Sequence, residues 1–317
     1  MKKIILGVFV VILAVVGYFF LHRSTVSLTA ENSFAVKDSL GEELRIPKKP
    51  QRLIFMNTSN LEIYLAVGGD KAVGRAESNN YPADLKDAFE RVPSVGAIYA
   101  PNVEKIMGLK PDLVIGTNVP FNVALRKPFQ VAGVPLYINV INSYEDVLRS
   151  VDFFGALAGR EKEAAAKRSR IEADYAALTK GVQPAGGPKT LVLFGSTDSF
   201  SMATSKSFTG DLLARLGAVN IADGADVKAD SAYIPLSLEY VTKQDPEVLL
   251  LITMGDPKAV EAHLHKEIAG NAAWKDVRAV KSGRVHVLPA NLFTVNPGTH
   301  IIDAMQLLQQ YLAEAEK

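Results

Sequence analysis

The sequence predicts an α/β protein of two Rossmann-like lobes joined by a long rigid α-helix, with a ligand cleft between the lobes. Three observations predict it. Short apolar runs alternate with helical stretches on both sides of the chain's middle. A segment without glycine or proline runs from Arg160 to Lys180, and similar motifs recur in the two halves. Alternating strands and helices are typical of a largely parallel sheet covered by helices on both faces.

Composition narrows the function classes before any motif is considered. The 317 residues carry 35 Lys and Arg against 34 Asp and Glu, so no excess of positive charge points to nucleic acid. The chain contains no cysteine. Disulfides, thiolate metal sites, a cysteine nucleophile and lipoprotein anchoring through a cysteine are therefore excluded.

Residues 1–23 are interpreted as an N-terminal membrane anchor or a signal segment. Lys2 and Lys3 precede an uninterrupted apolar run from Ile4 to Leu21. Its eighteen residues exceed the usual apolar region of a signal peptide, roughly 7–15 residues, and just suffice to cross a bilayer. The lysines favour a cytoplasmic N-terminus, which places the rest of the chain outside the cytoplasm. Leu28 makes a poor cleavage site, so an uncleaved anchor is favoured over a secreted form.

Residues 24–50 are interpreted as a linker that contains one hairpin, around Leu40 and Gly41. Residues 51–142 follow as an N-terminal lobe. Its predicted strands are Leu53–Met56, Ala72–Gly74, Leu113–Ile115 and Leu136–Ile138, and its predicted helices are Asn60–Val67, Asn102–Leu109 and Phe121–Val131.

Residues 143–183 are predicted to form the connecting helix. Ser143 and Asp146 fit a capping box at its start. Gly155 and Gly159 are expected to break it near the middle, which leaves a helix from Arg160 to Lys180 of ~30 Å. Such a helix is a stiff strut, so little closure on ligand is expected.

Residues 184–317 are interpreted as a C-terminal lobe, because prolines and glycines at 184–188 mark a boundary. Its predicted strands are Thr190–Phe194, Phe200–Ala203, Val248–Ile252 and Arg284–Leu288, and its predicted helices are Thr209–Leu216, Leu238–Gln244, Ala259–Ile268 and Thr299–Glu314.

Two segments of the chain repeat the same pattern. Residues 102–115 and 237–250 each read as an N-cap, a short helix, a Pro-acidic turn and a buried strand. Glu104 and Glu239 stand two places after the N-cap, where a helix dipole favours an anion. A weaker echo relates 62–69 to 211–217. Two similar lobes create a cleft, and clefts are favoured ligand sites.

Several pieces, in this order and spacing, carry a resemblance to a known family. They are Asp38-Ser39-Leu40-Gly41, Pro50-Gln51-Arg52-Leu53-Ile54, residues 61–68, Val95-Gly96, the two repeats, Phe208-Thr209-Gly210-Asp211-Leu212-Leu213, Trp274, residues 279–285 and Asn296-Pro297-Gly298. The chain resembles the class III periplasmic solute-binding proteins of ABC importers, which bind ferric siderophores, haem or cobalamin. The resemblance spans residues 35–314.

The resemblance implies a function and partners. It implies an extracytoplasmic protein that delivers an iron complex, a ferric siderophore or a haem-like molecule, to an ABC permease dimer and its ATPase subunits. A corrinoid such as cobalamin is the alternative ligand. It also implies that Glu104 and Glu239 are the surface carboxylates, one on each lobe, that dock against permease arginines.

Ligands of this class are large, and aromatic side chains grip them with rigid apolar surfaces. Arg126 and His300 are included because they suit an anionic ligand. The aromatic candidates are assigned to loops at the carboxyl ends of strands, and the full set of candidate ligand-binding residues is Tyr81, Tyr99, Phe121, Arg126, Phe200, Tyr233, Phe293 and His300.

No resident cofactor or metal is expected. The five histidines do not form a set of converging metal ligands. Haem-binding relatives often place a tyrosine directly after the glycine that matches Gly96, whereas this chain has Ala97. Tyr99, Met202 and His300 remain candidate axial ligands if the cargo is haem. A membrane-anchored enzyme is the alternative of another class, although no nucleophile elbow, Walker loop or dinucleotide fingerprint is present.

Overall fold

The computed structural model describes residues 28–225, 231–294 and 296–315. The predicted anchor segment, 1–23, lies outside the described residues. Within the described ranges, no helix is both long enough and apolar enough to cross a membrane. The chain divides into two compact units. Unit 1 comprises the chain up to Val140 together with Arg149–Arg168, and unit 2 comprises Ile141–Leu148 together with the chain from Ser169 onward.

The predicted N-terminal hairpin is present and belongs to unit 1. Strands β1 (Ser33–Lys37) and β2 (Glu43–Pro47) pair in antiparallel fashion. The backbone N–H of Ser39 donates to the carbonyl oxygen of Ile138 at 3.0 Å. The hairpin is thus hydrogen-bonded to the carboxyl end of a sheet strand of the same unit.

The sheet of unit 1 has four parallel strands in the order β4-β3-β7-β8. They are β3 (Leu53–Phe55), β4 (Ala72–Arg75), β7 (Leu113–Gly116) and β8 (Leu136–Ile138), and β5 (Gly96–Ala97) and β6 (Ala100–Pro101) form a separate short hairpin. All four predicted strands are confirmed. β3, β7 and β8 are wholly buried, as expected for a parallel sheet that helices cover on both faces.

The helices of unit 1 before residue 140 are short. They are α1 (Thr58–Ala66), α2 (Lys86–Arg91), α3 (Val103–Gly108), α4 (Pro120–Val123) and α5 (Arg126–Val131). The single helix predicted over Phe121–Val131 is therefore wrong, because two helices occupy that stretch. Pro128 has no N–H to donate to the carbonyl of residue 124, and its ring would clash there, so a helix running through from 121 is interrupted.

Helices α6 (Tyr144–Ala158) and α7 (Glu161–Leu178) occupy the stretch in which the connecting helix was predicted. The N-cap half of the predicted capping box is confirmed, because the Asp146 N–H donates to the Ser143 hydroxyl at 3.1 Å. The Asp146 carboxylate in turn accepts from the Ser143 hydroxyl at 2.8 Å and from the backbone N–H of Asn142 at 2.9 Å. Gly159, with φ of 65°, separates the helices as expected. Gly155 does not break α6. A Cβ there would lie 2.3 Å from the Cβ of Ala164, so this glycine lets α6 and α7 approach closely.

The sheet of unit 2 follows the order β12-β10-β9-β13-β14, and β11 also pairs with β9. Its strands are β9 (Lys189–Gly195), β10 (Phe200–Ala203), β11 (Val219–Asn220), β12 (Tyr233–Pro235), β13 (Val248–Thr253) and β14 (Val285–Val287). β11 and β13 each pair with β9 in parallel, and β14 pairs with β13 in parallel. β10 is antiparallel to both β9 and β12. The four predicted strands are confirmed, while the two shorter ones, β11 and β12, carry too few residues for a recognisable pattern.

Seven helices of unit 2 follow α7 within the described residues. They are α8 (Phe208–Arg215), α9 (Leu238–Gln244), α10 (Pro257–Gly270), α11 (Ala272–Lys275), α12 (Arg278–Lys281), α13 (Ala290–Phe293) and α14 (Ile301–Ala313). Four of them match predicted helices, and the bounds of α9 agree fully. The core between these helices and the sheet includes Leu193, Leu249, Val260 and Trp274.

The repeat extends from sequence to atomic detail. Both segments begin with a side-chain cap: Asn102 accepts from the N–H of Lys105 at 2.8 Å, and Ser237 accepts from that of Tyr240 at 3.3 Å. Lys110 and Asp245, each directly before the repeat's proline, share left-handed backbone angles, with φ of 48° and 50°.

The acidic residue that follows each proline performs the same task. The Asp112 carboxylate accepts from the backbone N–H of Arg52 at 3.0 Å, just before β3. The Glu247 carboxylate accepts from the N–H of Lys189 at 2.9 Å, at the start of β9. The Arg52 side chain in turn donates to the carbonyl of Leu109, the C-cap residue of α3. The Lys189 side chain donates to the carbonyl of Gln244, the last residue of α9. Each repeat therefore fixes its helix to the neighbouring parallel strand.

Candidate functional site

The carboxyl edge of the unit 1 sheet presents two exposed aromatic rings. Phe121, 51% exposed, lies in the first turn of α4, and Tyr99, 50% exposed, lies at the tip of the β5–β6 hairpin. Their ring centroids are 6.2 Å apart with an 80° angle between the planes, an edge-to-face contact. Buried Asn122 accepts from the N–H of Thr117 at 3.1 Å and donates to the carbonyl of Ile98 at 3.3 Å. The two loops that carry the rings are therefore held together.

Tyr81 is half-buried and packs within its own segment. Its ring stacks on Phe89, with centroids 5.0 Å apart and planes 15° apart, and its hydroxyl donates to the Glu90 carboxylate at 3.2 Å. These contacts order the segment before α2 and leave only part of the Tyr81 ring accessible.

Arg126 is engaged with the N-terminal hairpin. Its Nη2 donates to the Asp38 carboxylate at 2.7 Å, and its Nη1 lies 3.8 Å from Glu42. The Asp38 side chain is fully buried, whereas that of Arg126 is 21% exposed. A buried carboxylate needs such a partner, so this pair fixes β1 and β2 to α5.

Phe200 in unit 2 is half-buried at the start of β10. Its ring stacks on the His263 imidazole, with centroids 4.7 Å apart. One His263 ring nitrogen lies 3.2 Å from the carbonyl oxygen of Ser196, which places the imidazole against the loop after β9. A Cβ on Gly195 would lie 2.6 Å from the Phe200 ring, so the absence of a side chain there makes room for Phe200.

The remaining candidates of unit 2 differ in accessibility. Tyr233 is 42% exposed, with its ring 4.9 Å from that of Phe194. His300 is half-buried, and its Nδ1 lies 3.1 Å from the Asp303 carboxylate. Phe293 is buried, at 6% exposed, so its ring offers a ligand little surface. Met202 is 1% exposed within the unit 2 core, which makes it unsuitable as an axial ligand to haem iron.

Met254, which directly follows β13, is a further candidate that was not predicted from the sequence. Its side chain is 38% exposed, and its backbone N–H donates to the carbonyl of Gly195 at 2.8 Å. The sequence does contain a feature that could have indicated Met254, since the short tract from Met254 to Pro257 directly follows a buried strand. Loops at the carboxyl ends of parallel strands carry ligand contacts.

A compact cluster in unit 2 surrounds the guanidinium of Arg215. This group lies 5.1 Å from the ring centre of Tyr144 and 5.8 Å from that of Tyr175, and it is hydrogen-bonded to Asp211 at 2.8 Å and to Glu145. The Tyr144 hydroxyl is buried without a hydrogen-bond partner among the described residues.

Burial raises the pKa of the Tyr144 phenol to about 12, and the Glu172 carboxylate adds to the shift. For the Arg215 guanidinium, burial lowers the pKa, but the hydrogen bonds with Asp211 and Tyr175 outweigh this effect and the net shift is upward. Arg215 therefore stays charged and holds α8 against the nearby parts of α6 and α7 in unit 2.

Glu104 and Glu239 occupy matching positions on α3 and α9. Each lies in the first turn after the N-cap, and each side chain is exposed. Across residues 28–225, 231–294 and 296–315, neither carboxylate forms an ion pair. Both remain available to an external cation.

No group of three or more His, Cys, Asp or Glu side chains capable of holding a metal ion occurs in the described part of the chain. The described residues instead offer exposed aromatic rings, exposed carboxylates and one exposed thioether.

Comparison with known proteins identifies the family. Residues 53–292 match the family described as Periplasmic binding protein. The putative ABC transporter substrate-binding lipoprotein YhfQ of Bacillus subtilis is 26% identical, over 96% of this chain and 98% of that protein. The high-affinity heme uptake system protein IsdE of Staphylococcus aureus is 26% identical, over 74% of this chain and 78% of that protein.

The fold agrees with solved structures of such proteins. The crystal structure of the petrobactin-binding protein YclQ from Bacillus subtilis superposes with a TM-score of 0.69 at 20% sequence identity, covering 89% of this chain and 98% of that one. The family match spans well over half of the 317 residues. The chain belongs to the periplasmic binding protein family, in the class III group of extracytoplasmic solute-binding proteins that serve ABC importers and are not enzymes.

Proposed function

We propose that this protein binds an iron complex, a ferric siderophore or a haem-like molecule, and delivers it to the permease and ATPase subunits of an ABC importer. Two of the relatives named above support this cargo class, because one is a heme uptake protein and the other binds petrobactin. Neither is named for a corrinoid, so an iron complex is favoured over cobalamin.

The exposed pair Tyr99 and Phe121 is the observation that carries the proposal. Large apolar side chains tend to be buried, so two neighbouring rings that are half exposed mark an interaction surface. Rigid rings bury about 150–250 Å² each at a low cost in side-chain entropy. The rings therefore suit a large cargo with an apolar face, such as a porphyrin or the organic frame of a siderophore.

The other ligand-binding candidates remain predictions with different prospects. Tyr233 is exposed although its ring lies against Phe194, whereas Tyr81, Phe200 and His300 are half-buried and packed or hydrogen-bonded. Arg126 and Phe293 are the weakest members of the set, because one is paired with Asp38 and the other is buried.

Calorimetric titration with haemin, ferric petrobactin and cyanocobalamin tests the proposed cargo. We expect one iron complex to bind and cyanocobalamin not to bind. Tyr99→Ala and Phe121→Ala should each weaken that binding about tenfold, as expected when truncation removes roughly 1–2 kcal/mol of aromatic contact.

Val131→Ala is the matched control, because Val131 is also 51% exposed but lies on α5 and outside the candidate set. The cargo assignment fails if only cyanocobalamin binds. The aromatic site fails if both aromatic variants bind as tightly as Val131→Ala.

Glu104 and Glu239 are proposed to dock the protein on the permease. The equivalence of α3 and α9 supports this role, because both carboxylates occupy the same place on the same repeated element. Carboxylates on the first turns of helices held firmly by caps and strand contacts define a register for paired arginines. Glu104 and Glu239 lie on α3 and α9, whereas the aromatic pair lies on the β5–β6 hairpin and α4. Docking and cargo binding can therefore be tested separately.

A further inference from the structure

The loop after β13 has the same length as the loop after β7, which leads into α4, the helix that carries Phe121. In unit 1, β7 ends at Gly116, three residues follow, and Pro120 begins α4. In unit 2, β13 ends at Thr253, three residues follow, and Pro257 begins α10. β13 is two residues longer than β7, so residues 254–256 match residues 117–119 in their place between the strand end and the helix proline rather than in the register of the repeat.

Met254 is held firmly in this loop with its side chain outward. Its N–H is bonded to Gly195, and Gly255 follows with φ of 98°, a conformation that other residues rarely adopt. Asp256 then caps α10 by accepting from the N–H of Lys258 at 3.0 Å. These features of three successive residues therefore fix the point on the backbone from which the Met254 side chain projects.

The exposure of Met254 is unlike that of the other methionines in the described residues. Met254 is 38% exposed, and the rest are at most 3% exposed: Met56, Met107, Met202 and Met305. Methionine fills irregular apolar surfaces because its thioether is polarizable and its side chain is unbranched. An exposed methionine held rigidly at the carboxyl end of a strand is better explained as a binding contact than as an ordinary solvent-exposed loop residue.

We propose that Met254 is a cargo-contacting residue, an inference that rests on the proposed function and adds to it. The side chain packs against an apolar face of the iron complex and so favours cargo with such a face. For a ferric siderophore, whose iron is already saturated by oxygen donors, the contact is apolar packing rather than coordination.

Oxidative footprinting tests the contact without any substitution. The protein is treated briefly with hydrogen peroxide, alone and with haemin or ferric petrobactin, whichever binds, and sulfoxide is measured peptide by peptide. We expect Met254 to oxidise first in the free protein and to be protected several-fold by the cargo. The four buried methionines serve as internal controls. Equal oxidation of Met254 with and without bound cargo contradicts the proposal.

Affinities of Met254 variants test the nature of the contact. Met254→Ala should weaken binding about tenfold, and Met254→Leu should retain most of it because leucine preserves the apolar volume. Leu40→Ala is the matched control, since Leu40 is 42% exposed in the N-terminal hairpin. Wild-type affinity in Met254→Ala overturns the proposal, and so does an equal loss in the alanine and leucine variants.

Failure of this inference is distinguishable from failure of the proposed function. If no iron complex binds the wild-type protein, the proposed cargo is wrong. If the wild-type protein binds an iron complex while Met254 is neither protected nor sensitive to substitution, only the role of Met254 is wrong.

Discussion

Arg126 contributes to the stability of the fold through a contact that could not be predicted from the sequence. It was predicted as a ligand residue because a cation suits an anionic cargo. Its partner Asp38 is 88 positions away and buried, and it also accepts from the N–H groups of Leu40 and Glu42 at 2.9 and 3.0 Å. Sequence spacing reveals local caps such as Ser143 and Asp146, but a pair this distant depends on the packing of a hairpin against α5.

Arg126→Ala should therefore lower the free energy of unfolding by about 3 kcal/mol, because it leaves a buried carboxylate without its cation. Urea unfolding measures the loss, and Lys127→Ala, at the exposed neighbouring position, should change stability by less than about 0.5 kcal/mol. Unchanged stability in Arg126→Ala, combined with weaker cargo binding, would restore the ligand role.

Tyr144 predicts a specific dependence of stability on alkaline pH. Its pKa is raised to about 12 in the folded protein, above the value near 10 of an ordinary phenol, mainly by burial. The unfolded chain therefore loses its proton first, so stability is unaffected below about pH 10 and falls between about pH 10 and 12.

Tyr144→Phe should remove this part of the decline and should cost little at neutral pH, because the buried hydroxyl lacks a hydrogen-bond partner in the described structure. Urea unfolding of both proteins at pH 8 and pH 11 provides the measurement. The assignment is wrong if the difference in stability between them is the same at both pH values.

At the scale of elements, apolar pattern and capping chemistry predicted most of the long helices and buried strands. The strands β9 and β13 and the helix α9 are examples, because the strands are continuous apolar runs and all three elements have Ser, Pro or Gly near their ends. The two-residue strands β5, β6 and β11 were missed because two residues are too few to show a pattern, and β11 in addition pairs with β9, about thirty positions away. Gly155 was misread because its role lies in a helix contact rather than in a break.

Gly155→Ala should destabilise the protein by about 1–3 kcal/mol, although alanine favours helices, because the added methyl would overlap Ala164. Gly108→Ala is the matched control. A Cβ at Gly108, the last residue of α3, meets nothing within 4 Å, so that variant should be neutral or slightly more stable. The two variants are compared by thermal unfolding. A Gly155→Ala protein as stable as wild type would show that α6 and α7 do not pack as closely as described.

At the scale of the whole molecule, the repeat could be recognised from the sequence because its N-cap, proline and acidic residue recur at the same spacing in both segments. The candidate site was less predictable. The sequence named Tyr99 and Phe121, which lie together and exposed, but also Phe293, which is buried, and it omitted Met254. Residue type indicates which side chains suit a ligand, whereas accessibility follows from the packing of many distant residues.

Uptake of an iron complex by cells that carry the double variant Glu104→Ala/Glu239→Ala tests the central claim most directly. The variant would replace the chromosomal copy, and uptake would be measured with radioactive iron in the complex that the wild-type protein binds. The stability of the purified variant should change by no more than about 0.5–1 kcal/mol, from exposed positions and lost dipole contacts. Its cargo affinity should equal that of wild type, while uptake should fall at least tenfold and further than in either single variant. Normal uptake by the double variant, or loss of cargo binding in purified protein, would contradict the claim that these two carboxylates dock a cargo-loaded binding protein on its importer.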